Sequence, residues 1–463
     1  MSRHIRTDRQ EKMMPALWFE TAFVDNAWVD RVRLEISDGL VSAIATGVDP
    51  AAGDERHAIG LPGLPNLHSH AFQRGMAGLA EQRGTTGDDF WSWRDLMYRF
   101  LDRLGPEDVE AIATLAYVEM LEAGFTRVGE FHYLHHDPDG RLYADPAEMA
   151  ARVAAAAQAS GIALTLLPVF YAHGGFGGMA PGAAQRRFLN DVDGYARLLD
   201  GSRGAVAALP DAVAGIAPHS LRAATPDELR AILSLAGTNP IHIHIAEQRK
   251  EVADCLAWSG RRPVEWLQGE MPVDPRWCLV HATHVTDRER STLAGSGAIA
   301  GLCPITEANL GDGIFPAATY LAEGGAFGIG SDSNVLISAT EELRLLEYGQ
   351  RLSLHQRCVL AGDRPSIGAT LFAGALAGGS RALGVEGGIA IGRPADLVSL
   401  DADDPAFVAR SGDRLLDSWI FAARTGIDCV WRRGTRLVEG GRHVRGEETR
   451  RRFSAVLARL MDG

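Results

Sequence analysis

The fold class this sequence predicts is α/β: a (β/α)8 barrel with a small flanking β-sandwich formed by both chain termini. Three observations predict it. Eight short apolar runs between residues 61 and 330 alternate with helix-like stretches, as a parallel sheet with crossover helices requires. His68, His70, His244, His281 and Asp332 each stand at or just past the end of such a run, where a barrel carries its reactive groups. Strand patterns separated by Gly, Asp and Asn turns occupy both ends of the chain.

The elements follow in order. A chain of 463 residues suits one large barrel plus a smaller module. We expect residues 1–62 and 381–463 to form the sandwich, with a C-terminal helix, and 63–380 to form the barrel. Residues 16–21, 28–37 and 40–45 read as N-terminal strands. The eight barrel strands are expected at 61–67, 127–131, 163–170, 214–217, 241–245, 278–280, 298–302 and 326–330. A helix is expected over 106–123, stopped by Gly124. Residues 151–159 read as an alanine-rich helix, and 339–355 as an amphipathic helix after the eighth strand. The segment 78–101, with Gly84, Thr85, Thr86, Gly87 and Trp91, is expected to be a lid or pocket wall. Runs starting at Gly388, Cys429 and Thr435 read as the strands that return to the N-terminal module.

Composition narrows the function. Hydrophobic residues at 46% and charged residues at 23% are those of a globular enzyme. A net charge of −13 excludes nucleic acid and anionic membrane surfaces as natural partners. No run of apolar residues is long enough to span a bilayer, and residues 1–14 lack the apolar core of a signal peptide. The five cysteines form no CxxC pair, which points to reduced thiols in a cytoplasmic protein and away from a cysteine-based zinc site. The two lysines are Lys12, in the N-terminal tail, and Lys250, in the helix after the fifth strand. Neither can supply a carbamylated bridge between two metals.

The reactive residues point to one divalent ion and a hydrolytic water. His68 and His70 are two apart, so on an extended strand end both imidazoles face one way. His242 and His244 also share a face. His242 lies deeper and reads as a core histidine, whereas His244 lies nearer the mouth and reads as a ligand. Asp332 is the fourth ligand and a candidate general base. Glu247, three residues past His244, is placed to shuttle a proton to a leaving nitrogen. His281 is placed to orient the water and stabilise an oxyanion. His284 is expected to be structural. Zinc suits a His3Asp set with an open position, one ion per chain, and iron or manganese also fits.

This pattern resembles the amidohydrolase superfamily: HxH after strand one, His after strands five and six, Asp after strand eight. His244-Ile-Ala-Glu247 is similar to the H-x-x-E of its mononuclear deaminases, and Gly392-Arg-Pro-Ala-Asp-Leu-Val resembles the family's return to its sandwich. Within it, four longer motifs resemble the formimidoylglutamate deiminases of histidine degradation. They are Leu64-Pro-Asn-Leu-His-Ser-His-Ala-Phe-Gln-Arg-Gly, Asp89-Phe-Trp-Ser-Trp-Arg, Gly129-Glu-Phe-His-Tyr-Leu-His-His and Ala217-Pro-His-Ser-Leu-Arg.

That resemblance implies conversion of N-formimino-L-glutamate to N-formyl-L-glutamate and ammonia, by a homodimer. Such a substrate has two carboxylates, and arginine supplies the bidentate fork that each needs. Arg94 and Arg222 are the expected partners, with Gln73, Tyr133 and His219 adding hydrogen bonds. Arg74 and Arg83 stay open as substitutes. Two other functions stay open as well. One is deamination of guanine or an adenosine derivative. The other is a non-catalytic scaffold, against which the presence of all six reactive residues argues.

Overall fold

The computed structural model describes residues 16–82, 90–424 and 426–462. Lys12, Arg83, and the Gly84–Gly87 part of the expected lid lie outside the described residues. Both chain ends meet in one mixed sheet. Its N-terminal strands are β1 (Leu17–Val24), β2 (Ala27–Ser37), β3 (Leu40–Ala45) and β4 (Glu55–Pro62). Two parallel sheets follow. The first contains β5 (Leu64–Ser69), β6 (Phe125–His132), β7 (Ala163–Phe170) and β8 (Val213–Ala214), with β9 (Ala217–Pro218) also paired to β7. The second contains β10 (Ile241–Ile245), β11 (Trp277–His281), β12 (Ile299–Leu302) and β13 (Ala326–Ile329). The chain then returns through β14 (Leu397–Leu400), β15 (Ile427–Arg432), β16 (Thr435–Glu439) and β17 (Arg442–His443), and ends in the helix Gly446–Asp462.

The end sheet runs β17-β16-β15-β14-β4-β1-β2-β3. The expected sandwich module takes the form of one continuous sheet, because β4 and β14 pair antiparallel and join the two termini. It curls, bringing Leu40 against Pro394, and encloses its own core of Leu17, Phe19, Val32, Leu34, Leu397 and Trp431. The run from Gly388 to Pro394 is not a strand; only Leu397–Leu400 is.

Two expected strands are each divided. The run 61–67 breaks at Gly63, whose own N–H bonds to Asp396 O at 3.0 Å. A Cβ there would meet Thr126 at 2.2 Å, so only glycine lets the chain cross from the end sheet to the inner one. The run 214–217 breaks at Gly215 and Ile216. Gly215 N donates to Leu166 O, and Ile216 turns to bridge Ile241. That bridge, and another between Ser69 and Asp332, link the edges of the two parallel sheets. The other inner strands fall within two residues of their expected bounds.

Helices cover the outside of the parallel strands. Pro106–Glu122 and Glu148–Ser160 bury alanine, valine and leucine against them. Gly124 follows the first at φ +90 and Gly161 ends the second at φ +81. Ala339–Leu354 forms where the amphipathic pattern lies, capped by Ser338. Inside, Leu67, Cys278, Val280 and Ile299 pack with Ala382 and Leu383, and close the floor beneath the strand ends. His242 belongs to this floor and hydrogen-bonds Ala382 O through Nε2 at 2.7 Å.

Candidate active site

His68 lies one residue before the end of β5, His70 follows the strand, His244 lies in β10, and Asp332 stands past β13. The sequence separates them by more than 260 residues; the parallel strands place them side by side. Their four ligand atoms lie within 4.8 Å of one another, and all four residues are buried. His68 Nε2 is 3.2 Å from His70 Nε2 and 3.0 Å from His244 Nε2. Asp332 Oδ1 is 3.4 Å from His68 Nε2 and 3.2 Å from His70 Nε2.

The outer nitrogens fix which atoms face inward. His70 Nδ1 lies 2.9 Å from Phe131 O and His244 Nδ1 lies 3.1 Å from His219 O. A carbonyl only accepts, so Nδ1 carries the proton and Nε2 turns a lone pair to the centre. Burial holds His68 down to about 3 and His244 well below the ordinary histidine value, so both are neutral. Converging lone pairs with a carboxylate repel one another unless a cation sits between them. The donor set therefore fits a divalent ion.

The backbone around this cluster is strained and tightly held. Asp332 has φ +45 and Asn334 φ +54, conformations that cost about 1–3 kcal/mol each for non-glycine residues. Asp332 N donates to His68 O and His70 N donates to Asp332 O, both at 2.9 Å. Asn334 Nδ2 binds Ser69 Oγ, His70 O and Asp332 O, each at 3.1 Å. Asn66 bonds Ser331, which bonds Asn334, at 2.6 Å in both cases. Gly330 lets the eighth strand pass His68, since a Cβ there would lie 2.8 Å from the histidine's own Cβ. Sequence reasoning missed Asn66, Ser331 and Asn334. The dense polar run Ser331-Asp-Ser-Asn334 was the available signal.

Glu247 and His281 stand over the cluster. His281 Nε2 is 3.8 Å from Glu247 Oε1 and 3.7 Å from Asp332 Oδ2, and its Nδ1 is 3.2 Å from Glu307 Oε1. Burial pushes Glu247 up to about 7, so it can hold a proton near neutral pH. Burial opposes charge on His281, but the carboxylates of Glu247, Glu307 and Asp332 outweigh it and favour the imidazolium. Asp332 stays well below the usual carboxylate range despite burial, through His68 and His70. Glu307, which also accepts from Cys303 N at 2.9 Å, had no sequence signal.

A cavity opens above this cluster, lined by His70, Gln73, Arg94, Tyr133, His219, Arg222, His244, Glu247, His281 and Asp332. The five expected substrate-binding residues, Gln73, Arg94, Tyr133, His219 and Arg222, therefore face the same space as Glu247, His281 and Asp332. Gln73 Nε2 donates to Tyr133 OH at 3.0 Å, and Gln73 Oε1 has no partner among the described residues. Arg94 lies on the helix Phe90–Leu101, its guanidinium 4.4 Å above Trp91 and 5.5 Å from Tyr98. Arg222 Nη1 lies 3.1 Å from Glu251 Oε2, close enough to pair but not aligned as a hydrogen bond. Arg74 is excluded as a substitute. It grips Glu119 and the carbonyls of Asn334 and Val335, away from the cavity. Tyr98 and Tyr171 also line the space and were missed, although Tyr171 directly follows β7 and its position could have revealed it. His284 is half-buried and outside the lining. Lys250 is exposed and pairs with Asp254 at 2.6 Å, away from the cluster.

Parallel strands delivering three imidazoles and a carboxylate beneath a polar cavity define a metal-type hydrolase, and the chain belongs to the amidohydrolase family, whose model matches residues 59–437. A narrower model, the N-terminal domain of formimidoylglutamate deiminase HutF, matches residues 14–58. The formimidoylglutamate deiminase of Pseudomonas aeruginosa is 52% identical over 454 residues, 97% of this chain and 100% of that protein. The crystal structure of an amidohydrolase from Brucella melitensis matches with a TM-score of 0.94 and 54% identity, covering 97% of this chain and 100% of that one. A zinc-bound adenosine deaminase from Xanthomonas campestris shares the fold at a TM-score of 0.79 and 22% identity, over 97% of this chain and 99% of its own.

Proposed function

We propose that this chain is a formimidoylglutamate deiminase, which hydrolyses N-formimino-L-glutamate to N-formyl-L-glutamate and ammonia in histidine degradation. The observation that carries the reading is the cavity itself. Two arginines, Arg94 and Arg222, share its wall with Glu247 and His281, above the His3Asp floor. A dicarboxylate amidine needs that combination; a neutral nucleobase has no use for two guanidinium groups.

His68, His70, His244 and Asp332 would hold one ion. Zinc is preferred, with iron or manganese as alternatives, and when bound it would acidify a water and polarise the amidine. Arg94 and Arg222 hold the substrate carboxylates, and Gln73, Tyr133 and His219 fix its orientation. Asp332 accepts the proton of the attacking water. Glu247, protonated near neutral pH, delivers a proton to the nitrogen that leaves as ammonia. His281 donates from Nε2 to the oxygen as negative charge develops. As the C–N bond breaks, Asp332 passes the proton it took to the same nitrogen and the hydroxyl of the tetrahedral centre returns a proton to Glu247, so ammonia leaves, both carboxyl groups are restored and the formimino carbon becomes a formyl group.

The same reading takes residues 63–380 as a closed (β/α)8 barrel, with the sheet edges joined at the Ser69–Asp332 and Ile216–Ile241 bridges. Residues 1–62 and 381–463 then form the flanking β-sandwich module, its two faces made by the one sheet curling over its own core. A homodimer in the cytoplasm completes it. Unpaired cysteines support the compartment. No helix among the described residues is long and apolar enough to cross a membrane. The test is ammonia release from N-formimino-L-glutamate beside guanine, adenosine and cytosine. Preferred turnover of the amidine is expected, and faster release from any nucleobase overturns the assignment.

A further inference from the structure

Glu251 is fully buried in the first turn of the helix Arg249–Ser259, and no step of the mechanism uses it. One carboxylate oxygen accepts from Ala246 N at 3.3 Å, and the other from Glu247 N at 3.2 Å. The second oxygen also faces Arg222 Nη1 at 3.1 Å. Ala246 has φ +52, a left-handed backbone that a non-glycine residue keeps only when its surroundings over-determine it. Farther along the same loop, Gln248 Nε2 is bonded to Asp312. The loop after β10 is thus bent by strain and pinned by Glu251 at the residue that carries the proton shuttle. Arg222 follows β9 on the neighbouring part of the rim, and the same oxygen anchors its guanidinium.

We propose that Glu251 is a positioning residue with two tasks, fixing the Glu247 carboxyl over the reacting carbon and aiming Arg222 at a substrate carboxylate. The Glu251 carboxylate, out of water, holds the mostly buried guanidinium beside it, because separating the pair would leave an uncompensated charge. The anchored Nη1 leaves the remaining N–H groups of the guanidinium for the ligand. Because one carboxylate does both, the clamp and the shuttle keep a fixed spacing, which suits an amidine joined to its carboxylate by a short chain. The inference rests on the deiminase reading for its substrate.

The test is Glu251→Gln in two backgrounds, with N-formimino-L-glutamate as substrate and metal content measured for every variant. In the wild-type background kcat should fall about tenfold or more, as for a misplaced reacting group, and KM should rise about tenfold with the loss of an aimed charge-assisted bond. In the Arg222→Met background the clamp is already gone. There Glu251→Gln should lower kcat by a similar factor and leave KM where Arg222→Met puts it. Metal content should match wild type throughout. A purely structural role would lower Tm while leaving kcat and KM of the folded protein unchanged, and that result overturns the proposal. So does a KM effect that persists undiminished beside Arg222→Met. If Glu251→Gln alone does not fold, comparing Arg222→Met with the double variant still reads the kcat arm, because the double variant leaves no lone buried charge. Wild-type turnover is the control. Its absence counts against the deiminase reading, whereas normal wild-type turnover with an unaffected Glu251→Gln counts against Glu251 alone.

Discussion

Arg94→Met probes substrate choice most directly. The guanidinium lies on the face of Trp91 and near Tyr98, and its buried Nε has no hydrogen-bond partner among the described residues. Methionine can keep the apolar contact with both rings, so the packing loss is confined to the cation–π contact, about 0.5–1 kcal/mol. What disappears is the charge-assisted bond to substrate, worth about 1.5–3 kcal/mol. At 1.36 kcal/mol per factor of ten, kcat/KM for N-formimino-L-glutamate should fall about 10- to 150-fold. The assay is coupled ammonia release on protein matched to wild type in metal content and Tm. N-formiminoglycine and N-formimino-4-aminobutyrate each lack one carboxylate. Whichever of them is insensitive to the substitution identifies the carboxylate that Arg94 holds. A variant within about threefold of wild type on the full substrate would refute the clamp. Arg222→Met is a less clean probe, because it strands the buried Glu251 carboxylate at a cost of about 3–5 kcal/mol.

On the proposed reading, the His3Asp set and the positions of both lysines in the sequence predict one metal per chain. Elemental analysis should approach one equivalent and His244→Ala should lose most of it; a tightly held second equivalent would contradict the single-ion assignment. Glu247→Gln should lower kcat by at least about a hundredfold with metal retained, and near-normal turnover would remove Glu247 from the mechanism. Glu130, buried within β6 and accepting from Ala71 N at 2.7 Å, is raised by burial from 4.5 to about 7. The folded chain then binds its proton more tightly than the unfolded chain, so stability falls as pH rises from 4.5 to about 7 and the penalty is complete above that. Glu130→Gln should therefore raise Tm at pH 8 but not at pH 4, relieving at most about 3 kcal/mol. Equal Tm differences at the two pH values would show that Glu130 ionises freely.

The sequence by itself determined the alternation of strands and helices, the presence of strands at both chain ends and the candidates for the reactive set that the structure brings together. Each of those is local information. A histidine past a short apolar run is visible in one dimension, because strand ends in such folds are where side chains reach solvent and substrate. The motif around His68 and His70 likewise carried its meaning in consecutive residues. Tertiary structure alone decided what depends on distance between remote segments. It broke the runs at Gly63 and Gly215, where another strand or side chain comes too close for a straight path. It joined both termini in one continuous sheet through the β4–β14 pairing. It sent Arg74, left open as a substitute by the sequence, to Glu119 and put Arg94 and Arg222 in the cavity. It also tied Asn66 to Ser331, Asn334 to Ser69 and His70, Glu251 to Arg222 and Glu307 to His281, contacts between segments remote in sequence that the packing brings to one rim. Hydrogen bonds and charge pairing act over a few ångströms, and that proximity is set by the packing of the whole chain rather than by neighbours in sequence.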